Sequence, residues 1–335
     1  MNPNLQSKIS NLYPITKDIR LVESVKEGYL SQNYILYTSK QKFFLKQYSP
    51  KHTLDALKDV HKVKFFFNNG GIPVILPYSN INGETITEEN GQYYTIFPFV
   101  EGKILTREDI SKGVVGSYGN LLAKVHTLSS KGIPFEIEST KGIWNSEKFL
   151  SNSMTILKII EDIKTKNEFD YLAIRVLNKK IDIVKSNRLL PEELELKNDH
   201  LLHGDFHEKN VFLNIDGSVK YLFDWEKTCI GPRVFELVRA IDFICLDGEY
   251  EEENIECARS FLRAYNDVYP VQKEDFYKGV TSYYIKKAHS LWIETDHYIN
   301  NSQRVDIFLE REYLMLDYYK ENYGALVDKV YQRIS

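Results

Sequence analysis

The feature that most constrains this chain is a change of hydrophobic period near residue 100. Before it, apolar residues come in short runs separated by turn signals. "NYILYTS" (33–39) and "KFFLKQY" (42–48) are apolar, aromatic runs joined by the polar pair Lys40-Gln41, which predicts a β-hairpin. "IPVILPY" (72–78) reads as a further short strand, and "QYYTIFPF" (92–99) as another. The turn dipeptides Asn82-Gly83 and Asn90-Gly91 bracket "ETITEE" between them. One helix interrupts this series. Leu54, Leu57, Val60, Val63 and Phe66-Phe67 recur every three to four residues across 52–68, and Asn68-Asn69-Gly70-Gly71 stops it.

Past "FPFVEG" (97–102) the pattern turns helical. Pro98 cannot donate to a sheet ladder, so it belongs at a strand end or edge. Val114, Tyr118, Leu121, Leu122 and Val125 mark one helix, with His126 near its end. Two long helices are predicted across 146–188, and more at 234–245, 252–268, 272–295, 303–321 and 323–333. A further strand, "VKYLFDW" (219–225), lies between them. The expected fold is α+β and two-lobed: a small, mostly antiparallel β-rich lobe over 1–97, joined by a hinge to a helical lobe over 98–335. A chain of 335 residues suits either two domains or one two-lobed enzyme.

Charge and cysteine content narrow the partners. A net charge of −4, with Lys and Arg interspersed among acids, argues against a dedicated nucleic-acid binder. Cys229, Cys245 and Cys257 form no CxxC pair, so neither a zinc ribbon nor a disulfide framework is expected. The N-terminus lacks the apolar core of a signal peptide, and no apolar run approaches the roughly 18 residues of a membrane span. A cytoplasmic protein, with neither nucleic acid nor membrane as partner, is the expectation.

The chemistry is concentrated in "HGDFHEKN" (203–210). Asp205-Phe206-His207 is a DxH triplet of the kind found in binuclear phosphoesterases. Such a site needs an Asn-His pair and further histidines. No Asn-His dipeptide occurs here, and the next histidines, His289 and His297, lie far downstream in the helical part of the chain. A phosphoryl-transfer loop fits better. It needs a carboxylate to accept the proton of the hydroxyl, a metal-binding amide a few residues on, and a second metal-binding carboxylate on a neighbouring strand. Asp205 and Asn210 stand at D-x-x-x-x-N spacing. The turn "NIDGS" (214–218) then lets Asp224 return beside Asn210 at the end of the next strand.

H-G-D-x-x-x-x-N followed by Asp224-Trp225-Glu226 resembles the signature of the aminoglycoside phosphotransferase and choline kinase superfamily, small-molecule kinases with a protein-kinase-like fold. The resemblance runs over roughly residues 25–245. It implies ATP and Mg2+ as cofactors and a small-molecule hydroxyl as acceptor. It implies Asp205 as the catalytic base and Asn210 and Asp224 as the catalytic metal ligands. In the first lobe it implies Gly28 and Ser31 in a loop over the phosphates and Lys46 on the α/β-phosphates, oriented by an acid of the following helix. That helix holds no Glu, which leaves Asp59 as the candidate. It implies Phe97, Phe99 and Val100 around the adenine in "TIFPFVEG". His207 stands where it could touch the γ-phosphate or cap the loop. Glu236 stands where relatives carry an Asp that braces the catalytic loop, and His126 is expected to be structural.

The acceptor is less legible. "YYIKKAHSLWIETDHY" (283–298) offers Tyr284, Trp292, Glu294, Asp296 and Tyr298, which could hold a cationic amine or could simply pack the core. An aminoglycoside, amino-alcohol, amino acid or sugar all remain open. The alternative to an enzyme is a spore-coat-type, non-catalytic binding protein on a kinase scaffold.

Overall fold

The computed structural model describes residues 1–25, 33–137, 144–187 and 189–332, and the chain divides into two compact units. The first comprises Met1–Ile104 and Lys209–Thr228; the second comprises Leu105–Glu208 and Cys229–Ser335. The sequence expectation placed the boundary at 97/98; here the break falls at Ile104, and the hairpin after residue 208 groups with the first unit.

The first unit is an antiparallel sheet with helical cover. β1 (Leu21–Val25), β2 (Asn33–Tyr37), β3 (Lys42–Gln47), β4 (Thr87–Glu89) and β5 (Gln92–Pro98) lie in the order β1-β2-β3-β5-β4. Every neighbouring pair is antiparallel. Alternation sets the faces: Tyr34 and Leu36 of β2 and Phe43 and Leu45 of β3 are buried in one cluster with Tyr94 and Ile96 of β5. That cluster is closed by α1 (Pro3–Leu12) through Leu5 and Ile9. The sequence reading missed α1, because it is short and its few apolar residues, Leu5, Ile9 and Leu12, are separated by polar ones. α2 (Leu54–Asn69) begins where the Thr53 side chain accepts from the Ala56 N–H at 3.2 Å. The expected strand at 72–78 is not formed. Pro73 and Pro77 remove two ladder donors, and only Val74 bridges, to Leu222. β7 (Val211–Leu213) and β8 (Val219–Leu222) make the second hairpin of this unit.

The second unit is mainly helical. α3 (Lys112–Ser129), α4 (Ser146–Glu161) and α5 (Glu168–Ser186) precede β6 (His200–Leu202), which pairs with β9 (Cys229–Gly231). α6 (Arg233–Ile241) runs into a π-helical turn, Asp242–Leu246, and α7 (Glu252–Asn266) follows. The predicted helix at 272–295 is two, α8 (Lys273–Ala288) and α9 (Trp292–Tyr298). The chain turns between them, where the Ser290 carbonyl accepts from buried Lys180 at 2.7 Å. Conversely, the two helices predicted at 303–321 and 323–333 are one, α10 (Leu309–Tyr331). Gly324 lies inside it with open space around it.

Within 283–298, Tyr284, Glu294 and Tyr298 are tied into the helical packing, while Trp292 is exposed. Glu294 is fully buried and meets Lys180 at 2.7 Å, while Glu312 of α10 meets Lys180 and Lys287, both at 2.5 Å. The Tyr298 hydroxyl donates to Asp170 at 2.8 Å, and Tyr284 stacks on Tyr319 and Tyr323.

Helices α3 and α7 meet through small residues. A Cβ added at Gly119 would lie 2.3 Å from the Phe261 carbonyl oxygen, whereas one at Gly116 would make ordinary contact with Ala264 at 3.7 Å. Helix propensity alone favours alanine at either position by about 1 kcal/mol, but overpacking against backbone costs about 1–3 kcal/mol. Gly116→Ala should therefore raise the urea midpoint and Gly119→Ala lower it. Two shifts of the same sign would contradict this packing.

Four histidines that hold a proton less readily than usual give a second expectation. Burial pushes His126, His200 and His289 below their usual value and takes His61 down to about 3. These rings stay neutral in the folded chain but take up protons once unfolded. Their contribution is complete above the unfolded value of 6.5 and is lost as pH falls below it, for His61 down to about 3. Each ring can cost up to about 1.4 kcal/mol per pH unit in that window. Urea unfolding at mildly alkaline and mildly acid pH should show this loss, reduced in His61→Gln. An unchanged acid dependence in that variant would count against a neutral buried His61.

Candidate active site

The first unit gathers a compact charge cluster. Lys46 sits on β3 opposite Thr95 of β5 and Asn33 of β2. Its ammonium lies 2.7 Å from Asp224 Oδ1 and 2.8 Å from Glu226 Oε2. Asp59, the helix acid expected from the sequence, points elsewhere: it pairs with Lys62 at 2.8 Å on the outer face of α2. The inner face of α2 instead carries His61 and Lys64. Lys64 is 3% exposed and reaches Glu226 Oε1 at 3.5 Å. The helix thus brings a cation to Glu226, and the acid beside Lys46 comes from the chain after β8. Periodicity could have found this, because positions 57, 60, 61, 64 and 67 share one face and Asp59 does not.

The electrostatics follow from that placement. Burial opposes ionisation of Glu226, but Lys46 and Lys64 outweigh it and hold the carboxyl well below its usual range. Burial alone would lower Lys46, yet Glu226 and then Asp224 raise it, so the ammonium stays charged. Burial and the Glu226 charge push Asp224 up to about 6, against the pull of Lys46. Its side chain is 43% exposed, which tempers the burial effect.

Asp224 and Asn210 are brought together by the β7–β8 hairpin. Asn210 immediately precedes β7, and its carbonyl accepts from the Phe223 N–H at 3.0 Å. Trp225 is fully buried, stacked on Phe67 of α2 at 4.6 Å. Asp224 has φ of +64°, a left-handed conformation that is costly for a residue with a Cβ. The anchors on either side of it hold that conformation. Among the described residues no three His, Cys, Asp or Glu are grouped as a metal cage. One exposed carboxylate and one amide oxygen instead suit an ion that keeps water and takes further oxygens from a bound phosphate, the usual habit of Mg2+.

The second unit holds Asp205. The preceding Gly204 has φ of +82°, where glycine carries no steric cost. Asp205 Oδ1 accepts from Arg239 of α6 at 2.5 Å, and its N–H donates to His203 Nδ1 at 3.2 Å. His207 Nε2 stands 4.0 Å from Asp205 Oδ2, and its Nδ1 stands 3.8 Å from Glu208. Glu236 braces the loop. Its Oε2 accepts from the His203 N–H at 3.1 Å and its Oε1 from the Gly204 N–H at 2.5 Å. His126 Nε2 lies 3.0 Å from the same carboxylate, and its Nδ1 meets the Tyr265 hydroxyl at 2.8 Å. Burial opposes charge on Glu236, but these donors hold it below its usual value. The longer side chain thus reaches the backbone that a shorter aspartate was expected to hold.

Of the expected adenine-side residues, Phe97 is buried, 6.4 Å from the His61 ring and 4.7 Å below the Lys64 ammonium. Phe99 is half-buried and carries the Lys42 ammonium at 5.2 Å; Val100 is half-buried beside it in the chain. Gly28 and Ser31 lie outside the described residues.

Residues 22–274 match the model of the phosphotransferase enzyme family. A homoserine kinase of Rhodopseudomonas palustris is 22% identical over 253 residues, covering 75% of this chain and 71% of that protein. The spectinomycin phosphotransferase solved with ADP and spectinomycin superposes with a TM-score of 0.66 at 16% identity, covering 98% of this chain and 97% of that one. Choline kinase from Cryptosporidium parvum superposes with a TM-score of 0.64 at 13% identity, covering 99% of each. With the lysine–aspartate pair, the D-x-x-x-x-N loop and the kinase-like sheet in place, the chain belongs to the phosphotransferase enzyme family, the small-molecule kinases.

Proposed function

We propose that this protein transfers the γ-phosphoryl group of ATP, taken as its Mg2+ complex, to a hydroxyl group of a small molecule. The observation that carries the reading is the contact of Lys46 with Asp224, together with the hairpin tie between Asp224 and Asn210. Asn210 and Asp224 would hold Mg2+, which would offset the negative charge of the phosphates. Lys46 binds the α/β-phosphates. Glu226 orients Lys46, the role first sought in Asp59. Asp205 orients the acceptor hydroxyl and takes its proton as the oxygen attacks the γ-phosphorus; the bond to the departing ADP oxygen breaks. Positioning and charge supply most of the rate. Phe99 and Val100 flank the adenine, and His207 lies by the γ-phosphate. The cytoplasm, where MgATP is abundant, is the proposed location; no described helix is long and apolar enough to cross a membrane. A decayed, non-catalytic site would fit a Lys46 left without an acid, and the contact of Lys46 with Glu226 weighs against that alternative.

ADP release from MgATP, followed across amino-alcohols, aminoglycosides, amino acids and sugars, tests the reading. One acceptor class should stimulate the wild type, and Asp205→Asn should lower that turnover by at least about 100-fold while MgATP still binds. Near-normal turnover in Asp205→Asn would sink it.

Glu226→Gln should weaken MgATP binding by about tenfold and also lower stability, because it leaves Lys64 buried without its acid. Adding Lys64→Met should restore the stability but not the affinity. Recovery of both would reduce Glu226 to a structural partner of Lys64.

A further inference from the structure

Beside Asp205 the second unit encloses a cavity of about 80 Å³ that the roles above leave unassigned. Two cations line it, Arg239 from α6 and Lys286 from α8, with Phe235 as an apolar wall. The acid among its lining residues, Glu236, is already saturated by His126 and the N–H groups of His203 and Gly204. Lys286 is half-buried with its ammonium 4.8 Å above the Phe235 ring. Among the described residues no acid and no hydrogen-bond acceptor pairs with it. Burial lowers its hold on the proton; Cys229 opposes that and Arg239 adds to it.

The rest of the core treats its cations differently. The adjacent Lys287 meets Glu312 at 2.5 Å, and Lys180 is matched by both Glu294 and Glu312. A half-buried ammonium without an acid, next to a guanidinium, is costly unless an anion arrives. Arg239 uses one N–H on Asp205 and a longer one, 3.4 Å, on the Phe206 carbonyl, and its planar fork has further donors. The volume is roughly five to eight times the space one water needs, enough for a head group of a few heavy atoms. A multi-ring sugar does not fit it, and a polycationic one is repelled by its charge.

We propose that this cavity takes the carboxylate of the acceptor, held by Lys286 and Arg239, so that the acceptor is a small hydroxy acid or hydroxy amino acid. The assignment rests on the transferase reading for its purpose, since a carboxylate anchored beside Asp205 matters where a hydroxyl is to be deprotonated.

Calorimetric titration without nucleotide tests it, with homoserine and serine as carboxylate probes and homoserinamide and ethanolamine as their carboxylate-free counterparts. Wild type should bind the better carboxylate about tenfold or more tighter than its counterpart, as a charge-assisted contact implies. Lys286→Met should abolish that preference and leave MgATP affinity unchanged. Equal binding of both kinds, no binding of either carboxylate, or a preference that survives Lys286→Met would overturn the proposal. Phosphorus NMR of the same mixtures with MgATP separates the two readings. Phosphorylation of ethanolamine with no carboxylate bound leaves the transferase and removes this site. Lys286-dependent carboxylate binding with no phosphate on any probe or other hydroxyl leaves the anion site and removes the transferase.

Discussion

An ammonium group largely withdrawn from water needs acids and hydrogen-bond acceptors around it, and in the first unit that requirement falls on Lys46, whose side chain is 15% exposed. Its place on β3 is fixed by strand alternation and by pairing with β2 and β5. Its two acids, Asp224 and Glu226, both come from the segment that follows β8. That segment must therefore stay where it is for the sheet to keep a charged lysine in its interior. Trp225, packed on Phe67, and the Phe223 N–H on Asn210 hold it there, and the left-handed Asp224 backbone is the cost. Lys64 extends the cluster to α2, so helix, sheet and hairpin share one set of charges. Removing one partner of such a set costs about 3–5 kcal/mol, more than any single apolar contact nearby is expected to supply.

The second unit solves a parallel problem with hydrogen bonds. A loop with two exposed-type polar residues at its turn needs its backbone N–H groups satisfied. Glu236 accepts from two of them and is itself steadied by His126, which in turn meets Tyr265. Asp205 is thereby presented from a rigid loop and paired with Arg239 of the same helix that carries Glu236. One helix, α6, so fixes both Asp205 and the loop that bears it.

Much of this was legible in the residues, for identifiable reasons. The hairpin of β2 and β3 and the amphipathic α2 show because period and turn chemistry agree there. The loop of Asp205 and Asn210 shows because phosphoryl transfer demands residue types at fixed spacing. Asp59 misled because only acids were sought on α2, while facing was not weighed: positions 61 and 64 point inward and 59 does not. Glu226 was overlooked because its role depends on a contact across 180 residues, from Lys46, which no local pattern carries. The expected strand at 72–78 failed on its two prolines, and the split of α8 from α9 depends on Lys180, which lies on another helix. The aromatic and acidic run at 283–298 left a cation site and core packing both open, and two of its residues take the second course: Glu294 serves the buried Lys180, and the Tyr298 hydroxyl donates to Asp170.

The central claim is that the Lys46–Asp224–Glu226 cluster is built to receive a magnesium-bound nucleotide. Titration of ATP by calorimetry, with and without magnesium, into the wild type and Lys46→Met tests it most directly. The account expects binding that needs the divalent ion in the wild type and is weakened at least about tenfold in Lys46→Met, with the fold intact by circular dichroism. Equal binding in the two proteins, or nucleotide binding indifferent to magnesium, would contradict it.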